Sequence, residues 1–310
     1  MSEHWTTQGE RGSVFAMKLI SWIAVAFGRN VSRSLLYPIC LYFMLLVPRS
    51  TRASRQYLAR ALDRSPTWRD VFRHYFTFAA VLLDRALLLS GRPQRIDIAG
   101  ENVDLVRARV ARGQGCLLLG AHFGSFDVTR KVANQRRQLE VNMLMYEQNA
   151  RKLNAVIESL GGRARMKVIP IGVVDSLIRA KDCLDRGEWV GILGDRAVSG
   201  DRMIRVPFLG ETAAFPVGPI LMASALRVPV ILFACAYLGG NRYKEHFELF
   251  AEEIVLDRRQ READLDRWVR LYAARLEHYC RLAPYNWFNF YDFWMATSEP
   301  ETRPQIRPAA

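Results

Sequence analysis

The sequence is short of lysine and cysteine, and each shortage argues against a class of protein. Only 6 of its 44 basic residues are lysine, so the positive charge rests on arginine, which forms bidentate hydrogen bonds with phosphate and carboxylate groups. The 5 cysteines lie far apart, with no C-x-x-C pair and no histidine at ligand spacing. This pattern disfavours a disulfide framework and a structural zinc site, and it predicts reduced, buried thiols.

Three motifs that carry common enzyme chemistry are also missing. The chain contains no G-x-S-x-G elbow, no P-loop and no G-x-G-x-x-G fingerprint, which disfavours a serine hydrolase, a nucleotidase and a dehydrogenase. What the chain does have is 50% hydrophobic residues and a formal net charge of +13 over 310 residues. The composition therefore predicts a globular protein and suggests anionic partners, with nucleic acid, an anionic bilayer and a phosphate-bearing cofactor as candidates.

The first sixty residues contain apolar runs that are too short to cross a bilayer alone. One run starts near Val14 and ends at Phe27, and the second covers Leu35 to Val47; a spanning helix needs roughly 20 residues. Residues 1–60 hold eight basic and two acidic side chains, and basic flanks are typical of helices at anionic headgroups. Residues 1–50 are predicted to be membrane-anchoring or interfacial helices, with a buried helical hairpin as the alternative.

Strand and helix patterns alternate through residues 51–295, which are predicted to form one domain before a flexible tail at 296–310. Strands are predicted at 96–99, 116–121, 141–146, 167–170, 189–194, 228–237 and 243–250, the last as an antiparallel edge strand. Helices are predicted at 67–90, 102–112, 125–137, 150–160, 175–185, 213–226 and 258–282. Continuous apolar strands between amphipathic helices predict an α/β fold, with a mainly parallel central sheet covered by helices on both faces.

The segment after the strand CLLLGA carries the strongest chemical signal. The strand delivers His122 to the carboxyl edge of the sheet, where ligands bind in such folds. Gly124 allows close approach of the backbone, Ser125 can cap the next helix, and Asp127 falls in its first turn. A folded-back Asp127 would hold one imidazole nitrogen of His122, leaving the other to act as a general base. The alternative is a lone histidine and an aspartate that serves only the helix dipole.

Other candidates follow a second buried strand and the hairpin beyond it. Asp195 and Arg196 come after WVGILG and are candidates for binding substrate or a pantetheine phosphate, with a surface salt bridge as the alternative. Arg205 is a candidate phosphate contact, with a solvated basic loop as the alternative. Trp287 heads an aromatic cluster that indicates core packing or an interfacial belt more than a ligand site.

The spacing of His122-x4-Asp127 after CLLLGA resembles the catalytic motif of the glycerolipid acyltransferase superfamily. More specifically, the chain resembles the lipid A biosynthesis (lauroyl/myristoyl) acyltransferases of Gram-negative bacteria. The stretches that carry the likeness are the basic and apolar residues 11–48, residues 145–149, Gly194-Asp195-Arg196, residues 205–210 and the Pro-x-x-Trp segment at 284–287. The likeness covers roughly residues 11–295, and the order of its blocks is more specific than any one of them.

The resemblance implies an acyltransferase that moves a fatty acyl group from an acyl carrier protein or coenzyme A thioester to a hydroxyl or amine. The acceptor would be a lipid or a polyketide-like molecule. His122 would be the general base oriented by Asp127. The residues expected to bind substrate or oxyanion are Gly124, Ser125, Asp195, Arg196, Arg151 and Arg205. No metal and no bound cofactor are expected beyond the acyl thioester as co-substrate, and the expected location is the cytoplasmic face of the bacterial inner membrane.

Several departures from the family pattern predict a divergent member. Asp127 stands where the family often has glutamate, Tyr146 lacks an adjacent arginine, and Gly194-Asp195-Arg196 replaces the usual Asp-Gln-Asp. These changes fall where acceptor or donor would bind. A catalytically silent lipid-binding or scaffold protein of the same fold and a thioesterase are the alternatives. A nucleic-acid-binding protein ranks last, because the basic residues are scattered and no recognition motif occurs.

Overall fold

A computed structural model describes residues 29, 31–89, 96–137, 139–146, 167–171, 175–196 and 201–294. The first predicted apolar run, the predicted helix at 150–160 and the tail at 296–310 lie outside these residues. The helices are α1 Val31–Leu46, α2 Pro48–Leu62, α3 Trp68–Leu89, α4 Val103–Ala111, α5 Phe126–Arg137, α6 Ser176–Asp185, α7 Gly218–Leu226 and α8 Arg261–Leu282. The strands are β1 Asp97–Glu101, β2 Leu117–Gly120, β3 Val141–Tyr146, β4 Val168–Ile171, β5 Trp189–Leu193, β6 Met203–Phe208, β7 Glu211–Pro216, β8 Val230–Gly239 and β9 Arg242–Ala251.

Seven of these strands form one sheet in the order β1-β9-β8-β2-β5-β3-β4. The five strands from β8 to β4 are parallel to one another, which confirms the mainly parallel sheet. β9 runs antiparallel to β8, as predicted, but it is not an edge strand because β1 pairs with its other side. The strong β8–β9 hairpin leaves β9 with a free hydrogen-bonding edge, and β1 occupies that edge.

The two remaining strands correct one prediction. Residues 213–226 were expected to be helical throughout, but the first part of that stretch is β7, which pairs antiparallel with β6 from Met203↔Pro216 to Phe208↔Glu211. Ala213 and Phe215 are both fully buried, two residues apart, which is the strand period rather than the helical one. The helix α7 starts only at Gly218, with Pro219 in its first turn, where a missing N–H costs nothing.

Alternate residues of the central strands pack into two separate cores, one on each face of the sheet, and helices cover both faces. Leu118 of β2 and Phe233 of β8 pack with Val106 of α4 and Ala133 of α5. Leu119, one position further along β2, belongs to the larger core that contains α2, α3, α7 and α8. The five cysteines, all in the described part of the chain, are buried and form no disulfide, as their spacing predicts.

A capping box begins α3. The Asp70 amide donates to Thr67 Oγ1 at 3.2 Å, and the Thr67 amide donates to Asp70 Oδ2 at 2.7 Å. Tyr285 donates its hydroxyl to the other oxygen of Asp70 at 2.7 Å. The cap therefore also ties α3 to the segment that follows α8.

The helices α1 and α2 meet at a bend of 97° around Val47. Among the described residues no single helix has both the length and the apolar composition to cross a membrane, although this bent pair together meets the two criteria. A buried ion cluster attaches the start of this region to the domain. Asp84 of α3 accepts from Arg29 at 2.6 Å and from the Tyr243 hydroxyl of β9 at 2.6 Å, and it pairs with Arg33 at 3.3 Å.

We expect Asp84→Ala to lower the free energy of unfolding by about 3–5 kcal/mol, because a buried charge cluster that loses one partner leaves the others uncompensated. The Asp84 side chain is 1% exposed and those of Arg29 and Arg33 are 14% and 17% exposed. Urea denaturation in detergent measures the change. The matched control is Asp104→Ala, which breaks the exposed pair with Arg107 and should cost about 0.5 kcal/mol or less; equal losses in the two variants would contradict the prediction.

Candidate active site

The site lies where two adjacent parallel strands end at the carboxyl edge of the sheet. β2 and β5 pair in register from Leu117↔Val190 to Gly120↔Leu193. His122 follows β2 by two residues and Asp195 follows β5 by two residues. Because the strands are neighbours and run in the same direction, the two side chains are brought together although they are 73 positions apart in the chain.

Asp195 holds both the backbone and the ring of His122. Its Oδ1 atom is 2.8 Å from His122 Nδ1 and accepts the His122 backbone N–H at 3.0 Å. Asp195 is 1% exposed, whereas the His122 side chain is 36% exposed. A carboxylate only accepts, so Nδ1 carries the proton and the lone pair of Nε2 stays available to a substrate.

The segment after α8 completes the support of this pair. Trp287 donates its indole Nε1–H to Asp195 Oδ2 at 2.9 Å, so both carboxylate oxygens are occupied. The amide of Phe288 donates to the His122 carbonyl at 2.9 Å, and Trp287 bridges to Phe123 as an isolated antiparallel pair. The segment therefore fixes the position of His122 from one side while β5 fixes it from the other.

The electrostatics of the pair favour a neutral imidazole beside an ionised carboxylate. Burial lowers the pKa of His122, the Arg196 and Arg85 guanidinium groups lower it further, and Asp195 opposes them. Burial alone would raise the pKa of Asp195, but the interaction with His122, the Arg196 charge and the Trp287 hydrogen bond outweigh burial and hold that pKa below its usual range. A neutral imidazole with a free nitrogen is the form that accepts a proton.

Asp127 does not hold the imidazole, which corrects the predicted pairing. Its Oδ2 atom forms an ion pair with Arg85 Nε of α3 at 2.9 Å. Its Oδ1 atom is buried and has no hydrogen-bond partner among the described residues. The acid that orients His122 is Asp195, because the first turn of α5 directs Asp127 toward α3 and the end of β5 directs Asp195 toward the ring.

Gly124 and Ser125 shape the turn that leads from β2 into α5. Gly124 has φ +56, and a Cβ there would lie 1.7 Å from the Cys235 carbonyl oxygen, so only glycine fits. Its amide donates to the Asn286 carbonyl at 2.8 Å and the Ser125 amide donates to the Cys235 carbonyl at 3.0 Å. These two amides are therefore committed to the protein rather than offered to an oxyanion. Ser125 caps α5, as predicted, by accepting the Val128 amide at 3.3 Å.

The three predicted arginines are placed differently from one another. Arg196 donates to the Phe288 carbonyl and lies over the Tyr291 ring, with its guanidinium carbon 5.6 Å from the ring centre, and its charge acts on His122. Arg205 lies exposed in β6, in the hairpin that packs against α8. Arg151 lies outside the described residues.

Two residues of the site were not identified from the sequence as its partners. Trp287 was interpreted as part of an aromatic cluster, and its Pro-x-x-Trp context marked it without indicating that its indole would meet Asp195. Arg85 stands in a long apolar helix with no motif around it. The signal that could have identified it is the Asp84-Arg85 pair within an otherwise apolar stretch of this helix, since charges on such a face need partners.

Comparison with known proteins supports the resemblance. A family model described as bacterial lipid A biosynthesis acyltransferase matches residues 14–295. No curated protein matches the chain.

The pKa of His122 tests the geometry without any substrate. We expect the imidazole to titrate below its ordinary value of about 6.5, because burial and Arg196 both disfavour its charged form. In Asp195→Asn the pKa should fall further, since the anion that favours imidazolium is removed. Histidine NMR titration measures both values, with the exposed Asp104→Asn as control; a pKa that rises in Asp195→Asn would contradict the pairing.

Proposed function

Because the chain belongs to the bacterial lipid A biosynthesis acyltransferase family, we propose that His122 is the general base of an acyl transfer from a carrier thioester to a lipid-type acceptor. The donor is an acyl thioester of acyl carrier protein or coenzyme A, and the acceptor group is a hydroxyl or an amine. The observation that carries the proposal is the His122–Asp195 hydrogen bond of 2.8 Å at the end of two neighbouring strands, with the ring partly open to solvent.

In the proposed reaction, His122 first accepts a proton as a general base and then donates the same proton as a general acid. His122 Nε2 takes the proton of the acceptor O–H or N–H as the oxygen or nitrogen attacks the thioester carbonyl carbon. The carbon–sulfur bond of the resulting tetrahedral species then breaks, and the imidazolium returns the proton to the leaving thiolate. The products are an ester or amide and the free carrier thiol. Asp195 stabilises the transient imidazolium and keeps Nδ1 protonated.

The oxyanion of the tetrahedral species needs a positive partner, and we assign this role to Arg196. The amides of Gly124 and Ser125 are committed to Asn286 and Cys235 carbonyls. Arg196 is held by the Phe288 carbonyl and acts electrostatically on His122. A cation that is fixed in advance beside the reacting carbon stabilises developing charge without reorganisation.

Asp127 takes a different part in this proposal from the one that the motif suggests. Its Oδ2 atom is neutralised by Arg85, and its Oδ1 atom is buried without a hydrogen-bond partner in the described part of the chain. A buried acceptor without a partner costs about 1–3 kcal/mol, and a substrate hydroxyl or amide N–H would remove that cost once rotation of the side chain exposes this oxygen. We propose that Asp127 binds and orients the incoming substrate, while Asp195 orients the base.

A membrane surface is the proposed source of the acceptor, and the bend between α1 and α2 is the part that would meet it. Four large apolar side chains of α1 are between 46% and 61% exposed: Leu41, Tyr42, Leu45 and Leu46. Three exposed arginines begin α2: Arg49, Arg52 and Arg55. Apolar side chains next to arginine are the combination that binds an anionic bilayer. The proposed location is the cytoplasmic face of the bacterial inner membrane.

Three variants separate the proposed roles. We expect His122→Ala to lower kcat about 10²- to 10⁴-fold, because the general base is lost. Asp195→Asn should lower kcat by about tenfold or more with little change in KM, whereas Asp127→Asn should act mainly on KM. Mass-spectrometric detection of the acylated acceptor and of free carrier thiol measures transfer, with acyl carrier protein and coenzyme A thioesters supplied in separate reactions.

The same assay contains its own controls. Release of thiol without an acylated acceptor would indicate a thioesterase. Unchanged transfer by His122→Ala would exclude His122 as the base, and no transfer by the unchanged protein would favour a scaffold role. A loss of kcat in Asp127→Asn equal to that in Asp195→Asn would contradict the division of roles between the two carboxylates.

The membrane surface has a separate test. We expect the double variant Leu45→Gln and Leu46→Gln to bind vesicles containing anionic phospholipid several-fold more weakly than the unchanged protein. Each Å² of apolar surface buried in the membrane contributes about 25 cal/mol to binding, and the two glutamines remove this apolar surface. Vesicle co-sedimentation measures the binding. The control is Ile178→Gln on α6, where the side chain is 60% exposed; a weakening as large in the control would show that exposure alone, rather than this surface, decides binding.

A further inference from the structure

We propose that His74 is a positioning residue for the catalytic pair and acts through Trp287, in a buried hydrogen-bonded chain that runs from Ser54 to His122. The inference rests on the proposed function, since alignment of Asp195 and His122 matters only if His122 is the base. His74 lies in α3 and Ser54 in α2. Neither residue contacts the reacting atoms.

The first link fixes the state of His74. Its Nε2 atom lies 2.9 Å from the Trp287 carbonyl oxygen and its Nδ1 atom lies 2.8 Å from Ser54 Oγ. A carbonyl only accepts, so Nε2 carries the hydrogen and Nδ1 accepts the serine hydroxyl. Ser54 and His74 are both 0% exposed, and burial lowers the pKa of His74 to about 4. The ring is therefore neutral, with one defined tautomer, at ordinary pH.

The second link connects the His74 ring to the Asp195 carboxylate through Trp287. His74 holds the Trp287 backbone, and the indole of the same residue donates to Asp195 Oδ2 at 2.9 Å. Asp195 Oδ1 faces His122. The rotation of the carboxylate is thus set by two donors on opposite oxygens, and one of these donors is placed by His74. A misplacement of about 1 Å in such a group costs about 10²-fold in rate.

Packing alone does not require a histidine at position 74. The ring stacks on Phe290 with a centroid distance of 4.5 Å and an angle of 19°, a contact that phenylalanine would also make. What phenylalanine would lack is the donor to Trp287 and the acceptor for Ser54. The two hydrogen bonds of His74 therefore distinguish a positioning role from a packing role.

His74→Phe tests the proposal because it retains the ring stack and removes the chain. We expect kcat to fall about 10- to 100-fold with KM unchanged within about twofold. The acidic limb of the kcat/KM profile should move to higher pH, because a carboxylate that loses the Trp287 donor attracts the imidazole proton more strongly. The matched control is Tyr57→Phe, which removes the bond from the Tyr57 hydroxyl to the Pro284 carbonyl at 2.7 Å in the same segment but outside the chain.

Two amide substitutions at position 74 test whether the hydrogen bond to Trp287 can be restored. The side-chain amide of His74→Gln reaches the position of Nε2 and should restore much of kcat, whereas that of His74→Asn reaches only the position of Nδ1 and should not. In a double-mutant cycle, His74→Phe should add little to the loss caused by Trp287→Phe, because both act on Asp195 through one path.

The variants distinguish failure of the positioning role of His74 from failure of the proposed function. If His122→Ala is inactive while His74→Phe keeps the unchanged kcat and acidic limb, the positioning chain is overturned and the general base stands. If His122→Ala is active, the proposed function is overturned first. If His74→Phe does not fold, the comparison of His74→Asn with His74→Gln decides, and equal kcat values in the two would overturn the chain.

Discussion

The hydrogen bond between His122 and Asp195 is the constraint on which the site depends. It joins two strand ends 73 positions apart at 2.8 Å, and it is made at the cost of burying a carboxylate that is 1% exposed. Such burial is tolerated only where donors satisfy the charge. The His122 backbone, the His122 ring and the Trp287 indole are those donors, so the orientation of His122 depends on the segment that carries Trp287.

The helix α3 connects three parts of the molecule that would otherwise be independent. Asp84 forms ion pairs with the arginines at positions 29 and 33, which precede and begin α1. The neighbouring Arg85 pairs with Asp127, and His74 donates to the Trp287 carbonyl. A rigid helix spaces these contacts over about 1.5 Å per residue. One helix therefore holds the region of α1 and α2, the Asp127 carboxylate and the segment that supports His122.

Local patterns were sufficient for most of the fold. Continuous apolar strands predicted the parallel sheet, and Ser125 was predicted to cap α5 because its hydrogen bond with the Val128 amide is local. Residues 213–216 were assigned to a helix although they form β7, because pairing with β6 is a long-range contact that the local apolar content does not report. The strand β1 was predicted at 96–99, but its pairing with the far side of β9 was missed for the same reason.

The family, the fold class and the place of His122 at a strand end could be predicted, because these depend on periodicity and on the order of blocks along the chain. Which acid contacts the His122 ring depends instead on how the strands pack. Asp127 is near in sequence, yet its helix directs it to Arg85, while Asp195 is remote and arrives because β5 lies beside β2. Strand order is a property of the whole packed sheet, and no local spacing encodes it.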